Sequence, residues 1–326
     1  MREIQFREAL NEAMSEEMRR DENVFLLGEE VAEYNGAYKV SQGMLDEFGA
    51  KRVIDTPIAE LGFTGIAVGA AMNGLRPIVE FMTWNFAILA ADQIINSAAK
   101  MLQMSGGQYN VPIVFRGGNG QAGQLAATHS QSFEAFYAHV PGLKVITPSN
   151  PYDAKGLLKA AIRDDNPVVF LESEKMYGDK GEVPDGEYIL PIGKADVVRE
   201  GTDCTIVSFG KIVKVANQAA DELAKEGINV EVIDLRTIRP WDEQAVVESV
   251  KKTNRLVILE ESWPVASIAS EISFRIQQVA FDHLDAPVLR LTQSDTPFAF
   301  STSLIDEALP NVQDLMNAVK SSMYQL

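Results

Sequence analysis

Glu60 is the side chain whose surroundings most invite chemistry. It stands in Asp55-Thr56-Pro57-Ile58-Ala59-Glu60-Leu61-Gly62-Phe63, a carboxylate among apolar residues just ahead of a small-residue run. An acid kept from water holds its proton closer to neutral pH and can share it with a ring nitrogen. The position equally suits an ordinary glutamate in the first turn of a helix, where the N-terminal dipole favours negative charge. Local chemistry does not separate the two.

His129 comes after the glycine-rich stretch Gly118-Asn119-Gly120-Gln121-Ala122-Gly123, and the chain has only three histidines. A histidine in a loop on an α/β scaffold is a candidate for proton chemistry, although a structural histidine bonded to backbone fits as well. The glycine stretch has G-x-G-x-x-G spacing. The next residues, Gln124 to Gln131, lack the apolar helix start of a dinucleotide site, so a flexible loop is the better reading. Phe81-Met82-Thr83-Trp84-Asn85-Phe86 reads as core by default, yet it comes after a strand, where open α/β sheets form ligand crevices. Such side chains can grip a flat heterocycle. Glu260 and Glu261 read as an exposed acidic strand end, and Cys204 as a packed residue of a buried strand. His139 and His283 have no neighbours that suggest chemistry.

The elements that must position these residues are legible as β-branched runs: Val24–Leu27, Ile78–Phe81, Ile113–Phe115, Lys144–Ile146 and Val168–Leu171. They alternate with helical patterns, the signature of a parallel sheet with crossover helices. Gly62 to Asn73 predicts a closely packed helix. Tyr177 to Glu187 is polar, with glycine and proline, and predicts an interdomain connection. The α/β pattern then restarts with Thr205–Phe209, a helix over Val213–Glu226, Val230–Asp234 and Leu256–Glu260. Two α/β domains are therefore expected, 1–187 and 188–326. A net charge of −17 argues against nucleic acid or an anionic membrane as partner and suits a basic protein. No run of ~20 apolar residues occurs. Phe6 to Met18 is amphipathic, with no signal-like or transit-like pattern before it, so a cytoplasmic protein is expected.

Several ordered segments carry a family resemblance. They are Phe25–Val31, Gly36–Val40, Asp55–Phe63, Gln93–Lys100, His129–Gln131, Pro141–Val145 and Arg236–Pro240. Together they resemble the beta subunits of the pyruvate dehydrogenase component, a thiamine-diphosphate-dependent 2-oxo acid decarboxylase, over nearly the whole chain. Gly36–Val40 looks like the pyruvate branch rather than the branched-chain 2-oxo acid or acetoin relatives. The resemblance implies a pyrimidine-binding α/β domain followed by a transketolase-C-terminal-like α/β domain. It implies an alpha subunit that binds the cofactor's diphosphate through magnesium, using a Gly-Asp-Gly motif. This chain has no such motif; the nearest stretch is Tyr177-Gly178-Asp179-Lys180. It looks like half of a site.

By the same resemblance, Glu60 matches the glutamate that exchanges a proton with the aminopyrimidine ring. Glu29 matches an acid near that ring. Ile58, Met82 and Phe86 match pocket-lining residues, and His129 one at the mouth that assists acetyl transfer to a lipoyl group. Leu89 stands where several relatives carry glutamine. Ile113, Ala161, Ile162, Asp164 and Asn166 match a potassium site, for which a solvated turn is the plainer reading of Arg163–Pro167. Asp285 and Leu326 match contacts with a dihydrolipoyl acyltransferase. A heterotetramer of two alpha and two beta chains is implied, with a non-catalytic scaffold subunit as the alternative from another class.

Overall fold

β-branched strands flanked by amphipathic helices build two parallel-sheet layers in a computed structural model that describes residues 1–325. Seven strands form the larger sheet. In spatial order they are Thr237–Arg239, Lys144–Ile146, Val168–Ser173, Val114–Asn119, Arg76–Thr83, Val24–Gly28 and Val53–Asp55. All neighbours are parallel except Thr237–Arg239, which runs antiparallel to Lys144–Ile146. The second sheet has the order Leu289–Leu291, Leu256–Leu259, Cys204–Ser208, Val230–Asp234, Asp196–Arg199, with only the last strand antiparallel. The expectation of two α/β domains with mostly parallel sheets holds.

Thr237–Arg239 belongs to the second half of the chain but completes the first sheet. One apolar core runs across the junction, joining Phe81, Trp84, Phe115 and Tyr137 to Val207, Phe209, Ile233 and Ile276. The two layers therefore share a dry interior, and groups set between them are taken out of water.

Two expectations need correction. Tyr177 to Glu187 is not simply a polar connection: Tyr177 is buried, and Lys180–Val183 pairs antiparallel with Arg2–Gln5. The partner strand lies about 180 residues back in sequence, and no local pattern announces it. Glu260 and Glu261 are not exposed, at 0% and 7%. The Glu260 carboxylate accepts from Ser262 and the Ala269 N–H of its own domain, and Glu261 is covered by Gln121 and Ser132 of the first domain. No helix of the described residues is long and apolar enough to cross a membrane.

Candidate active site

Two parallel strands end beside the middle of a third. Gly28 pairs with Asp55 on one side and Glu80 on the other. A Cβ at Gly28 would lie 2.4 Å from the Glu80 carbonyl oxygen, so only glycine lets these strands close up there. Glu29 leaves the middle strand at this point. Asp55 then turns back to hold the following loop, its carboxylate accepting the Ala32 N–H at 2.7 Å and the Glu33 N–H at 3.0 Å. Glu60 opens the helix Glu60–Met72 just after the third strand, and it is buried. Glu60 is thus a first-turn glutamate that is also buried.

Glu29 and Glu60 meet. Burial raises the Glu29 carboxyl to about 7, the Glu60 charge and contact push the same way, and Glu80 adds to it. Glu29 Oε1 is buried without a hydrogen-bond partner among the described residues. The Glu29 carboxyl thus exchanges its proton near neutral pH, beside a second acid and with one oxygen unsatisfied.

Behind this pair lies a fully buried ion cluster. Arg116 pairs with Glu80 and forks onto Glu172 at 2.6 and 2.5 Å, and the Tyr177 hydroxyl donates to Glu172 at 2.8 Å. Burial raises the Glu80 carboxyl, with Arg116 opposing and Glu172 reinforcing. Sequence reasoning missed this cluster. Its signal was present: Glu80, Arg116 and Glu172 each interrupt the apolar run of a central strand.

Alternation sorts the Phe81–Phe86 set. Phe81 and Trp84 are buried and pack at 5.4 Å, whereas Met82 is half-buried and Phe86 is 38% exposed. The Thr83 hydroxyl caps the short helix Trp84–Ala87 by accepting from Asn85. The Phe86 ring meets the His129 imidazole edge to face at 5.1 Å. His129 is half-buried, its Nδ1 3.0 Å from the Thr128 hydroxyl. The expected residues thus form two groups, Glu29 with Glu60 and Phe86 with His129, linked by the strand Arg76–Thr83. Ile58 is 81% exposed and Leu89 is exposed, so neither closes a pocket within this chain.

The potassium-like positions converge, but on side-chain cations. Arg76 donates to the carbonyls of Ile162 at 3.0 Å and Asp164 at 3.1 Å, and Lys144 pairs with the Asp164 carboxylate. The Ile113 carbonyl accepts from Val168 and that of Ala161 from Asp164, while Asn166 donates to the Asp164 carboxylate. Asp285 is exposed, paired with Arg255 at 3.4 Å, and its carbonyl accepts from the Tyr324 hydroxyl. Leu326 lies outside the described residues.

Comparison with known proteins agrees with this architecture. The family described as "Transketolase, pyrimidine binding domain" matches residues 2–180, and "Transketolase, C-terminal domain" matches 193–315. The pyruvate dehydrogenase E1 component subunit beta of Rhizobium meliloti (strain 1021) is 60% identical, covering 98% of this chain and 70% of that protein. That of Rickettsia felis is 56% identical over 99% of both chains. The mitochondrial one of Rattus norvegicus is 54% identical over 98% of this chain and 91% of its own. A solved structure described as a split-gene transketolase, an inactive beta4 tetramer, superposes with a TM-score of 0.82 at 22% identity over 99% of each chain, which shows the fold alone. The acid pair and its strand ends lie within the matched pyrimidine-binding region, and the chain belongs to the beta-subunit family of the pyruvate dehydrogenase E1 component.

Proposed function

We propose that this beta subunit holds the pyrimidine end of thiamine diphosphate with Glu60, Glu29, Met82, Phe86 and Ile58, and that Glu60 exchanges a proton with the ring. The observation that supports this is the buried acid pair at the carboxyl ends of adjacent parallel strands, with Glu29 Oε1 lacking a partner. When bound, the cofactor supplies the electron sink that lets a 2-oxo acid lose carbon dioxide. The chain's own part is proton handling. Glu60, in the first turn of its helix, faces the ring-binding side beside Glu29. Glu29 beside it keeps a proton near neutral pH. Phe86 and Met82 exclude water from one side. His129, against the Phe86 edge, stands where an incoming lipoyl group would receive acetyl.

Membership of the E1 beta family carries partnership with the E1 alpha subunit. In the finer reading, alpha carries the diphosphate and magnesium, and two alpha and two beta chains assemble. Exposed Ile58, Leu61, Ile66 and Leu89 on and near the site helix suit coverage by such a partner. The acyltransferase docks on the second domain near Asp285, beside the described end of the chain. A potassium ion among Ile113, Ala161, Ile162, Asp164 and Asn166 would share its oxygens with Arg76 and Lys144. A melting temperature that does not distinguish potassium from tetramethylammonium counts against it.

The deciding experiment is Glu60→Gln assembled with alpha subunit, thiamine diphosphate and magnesium. We expect normal assembly and a loss of ~100- to 10,000-fold in dye-linked pyruvate decarboxylation, the span of general acid–base catalysis. Turnover at the wild-type rate overturns the role of Glu60. Faster turnover of a branched-chain 2-oxo acid than of pyruvate overturns the substrate. A scaffold role is supported only if the wild-type assembly takes up no cofactor.

A further inference from the structure

The loop that carries His129 is gripped at both ends by the other domain, and Asn85 of its own domain also accepts the Gln131 N–H at 3.0 Å. Its base closes where the Gly120 N–H donates to the Gln131 carbonyl at 3.0 Å. From there to Gln131 the chain contains only a single turn of helix, Ala127–His129. A loop of this length has no core of its own, so its position depends on what grips its ends.

Glu261 grips both ends. Its Oε1 accepts the Gln121 N–H at 2.7 Å, at the loop's start. Its main-chain carbonyl accepts the Ser132 hydroxyl at 2.5 Å, just past the loop's end. Gly120, at φ +78°, lies so near that a Cβ there would come within 3.1 Å of the carboxylate. Lys211 completes the arrangement. Its ammonium pairs with Glu261 Oε2 at 2.9 Å and reaches the Gln121 carbonyl and side-chain oxygens at 3.4 and 3.3 Å. Glu261 lies just past the strand Leu256–Leu259 and Lys211 just past Cys204–Ser208, so two adjacent strand ends of the second sheet hold one loop of the first domain.

Burial makes the contact informative. The Glu261 side chain is 8% exposed and that of Lys211 17%. A carboxylate there must be compensated, and the compensation consists of one ammonium and one loop N–H. Packing alone would be served by apolar side chains. A charge-assisted hydrogen bond fixes direction and distance as apolar contact does not. Asn119 ties the grip to the strand that enters the loop: its amide donates to Glu134 at 2.9 Å and its oxygen accepts the Phe133 N–H at 3.0 Å.

We propose that Glu261 and Lys211 are positioning residues that hold the His129 loop for the lipoyl reaction and leave decarboxylation untouched. This rests on the proposed role of His129 in acetyl transfer. It also makes the docking domain a structural party to that step.

The test uses the assembled component with alpha subunit, thiamine diphosphate and magnesium, and a free lipoyl domain as acceptor. Glu261→Ala is expected to raise amide exchange across residues 121–131. It should lower kcat/KM for lipoyl acetylation by ~10- to 100-fold, the cost of a small misplacement, with dye-linked decarboxylation within ~2-fold of wild type. Glu261→Gln, whose amide oxygen still accepts from Gln121, should restore most of the lipoyl rate. Ser132→Ala removes one hydrogen bond and leaves Glu261 in place, so it tests the grip if Glu261→Ala does not fold; a rise in exchange confined to the loop is expected. Wild-type exchange in these variants, or equal losses in both assays, overturns the proposal. His129→Ala in parallel separates the two ideas. If it spares lipoyl acetylation, the reading of His129 fails, while loop exchange in Glu261→Ala still decides the clamp.

Discussion

The acid pocket and the His129 loop, which the proposed function assigns to one site, are held by opposite means. The pocket is held from within a single sheet: Glu29 follows one strand end, Glu60 opens the helix after the next strand, and Glu80 lies in the third strand, with Arg116 and Glu172 fully buried behind them. The loop is held mainly at its base, by Glu261 of the other domain 129 and 140 residues away in sequence and by Asn85 of its own domain, whose oxygen accepts the Gln131 N–H at 3.0 Å. Both regions contain non-glycine residues in the left-handed region, Glu30, Asn35 and Lys39 beside the pocket and Gln124 and Ala126 in the loop. The pocket's turn is braced by Asp55 and by the Ser41 hydroxyl on the Val31 carbonyl at 2.7 Å. The difference matches the roles proposed for each region. Proton exchange with a ring would need fixed charge in a low dielectric. A group that met a lipoyl arm would have to stay accessible, so its support would have to come from below.

The largest expected effect breaks the pocket's rigidity. Arg116→Met leaves Glu80 and Glu172 buried without their cation, and removing one partner of a buried ionic group costs about 3–5 kcal/mol. Chemical denaturation of the assembled component measures it. Without Arg116 to oppose burial the Glu80 carboxyl rises further, the cluster behind Glu29 loses its fork, and dye-linked decarboxylation falls along with stability. A loss under about 1 kcal/mol would place the pocket's rigidity in packing rather than in the cluster.

A smaller effect is a pH dependence confined to the pocket. Glu29 is raised from 4.5 to about 7 in the folded protein, chiefly by burial and then by Glu60. Between those values the folded state binds the proton that the unfolded state has lost, so stability falls as pH rises through this window and levels off above it. Glu29→Gln removes the titration. The difference in melting temperature between wild type and variant, measured without cofactor, should change between pH 4.5 and 7 and stay flat above. A difference independent of pH would show that Glu29 gains no proton on folding.

The contrast also explains what the sequence made legible. Long apolar runs such as Ile78–Phe81 and Val168–Leu171 announce central strands because both faces are buried. Val53–Asp55, Thr237–Arg239 and Leu289–Leu291 have three residues each, too few for a period, and their neighbours alone define them. Glu60 could be recognised as a site only through resemblance, since a helix start and a buried acid look the same locally. Glu261 reads as exposed in the sequence because its burial is created by the other domain. Ile58, expected to line the pocket, is largely exposed here, so any pocket it lines is completed by a surface outside this chain.

The smallest effect sharpens the loop's side of the comparison. Ala126 sits at φ 63° and ψ −166°, a region essentially reserved for glycine and costing about 1–3 kcal/mol. Glycine would relieve that strain but return about 0.5–1 kcal/mol through a freer unfolded chain. Ala126→Gly should therefore gain about 0–2 kcal/mol in denaturation experiments, a difference of two opposing terms. The Ala126 carbonyl still accepts the His129 N–H at 3.2 Å, so the turn itself survives. What is lost is restriction. With a wider backbone basin three residues before the imidazole, His129 samples more positions against the Phe86 edge, and lipoyl acetylation should fall by about 2- to 5-fold while dye-linked decarboxylation holds. A variant both more stable and slower in acetyl transfer alone would mean that strain in this loop aims the histidine. A variant that is destabilised would mean that the Ala126 methyl packs, and that the loop, like the pocket, is held partly by its own contacts.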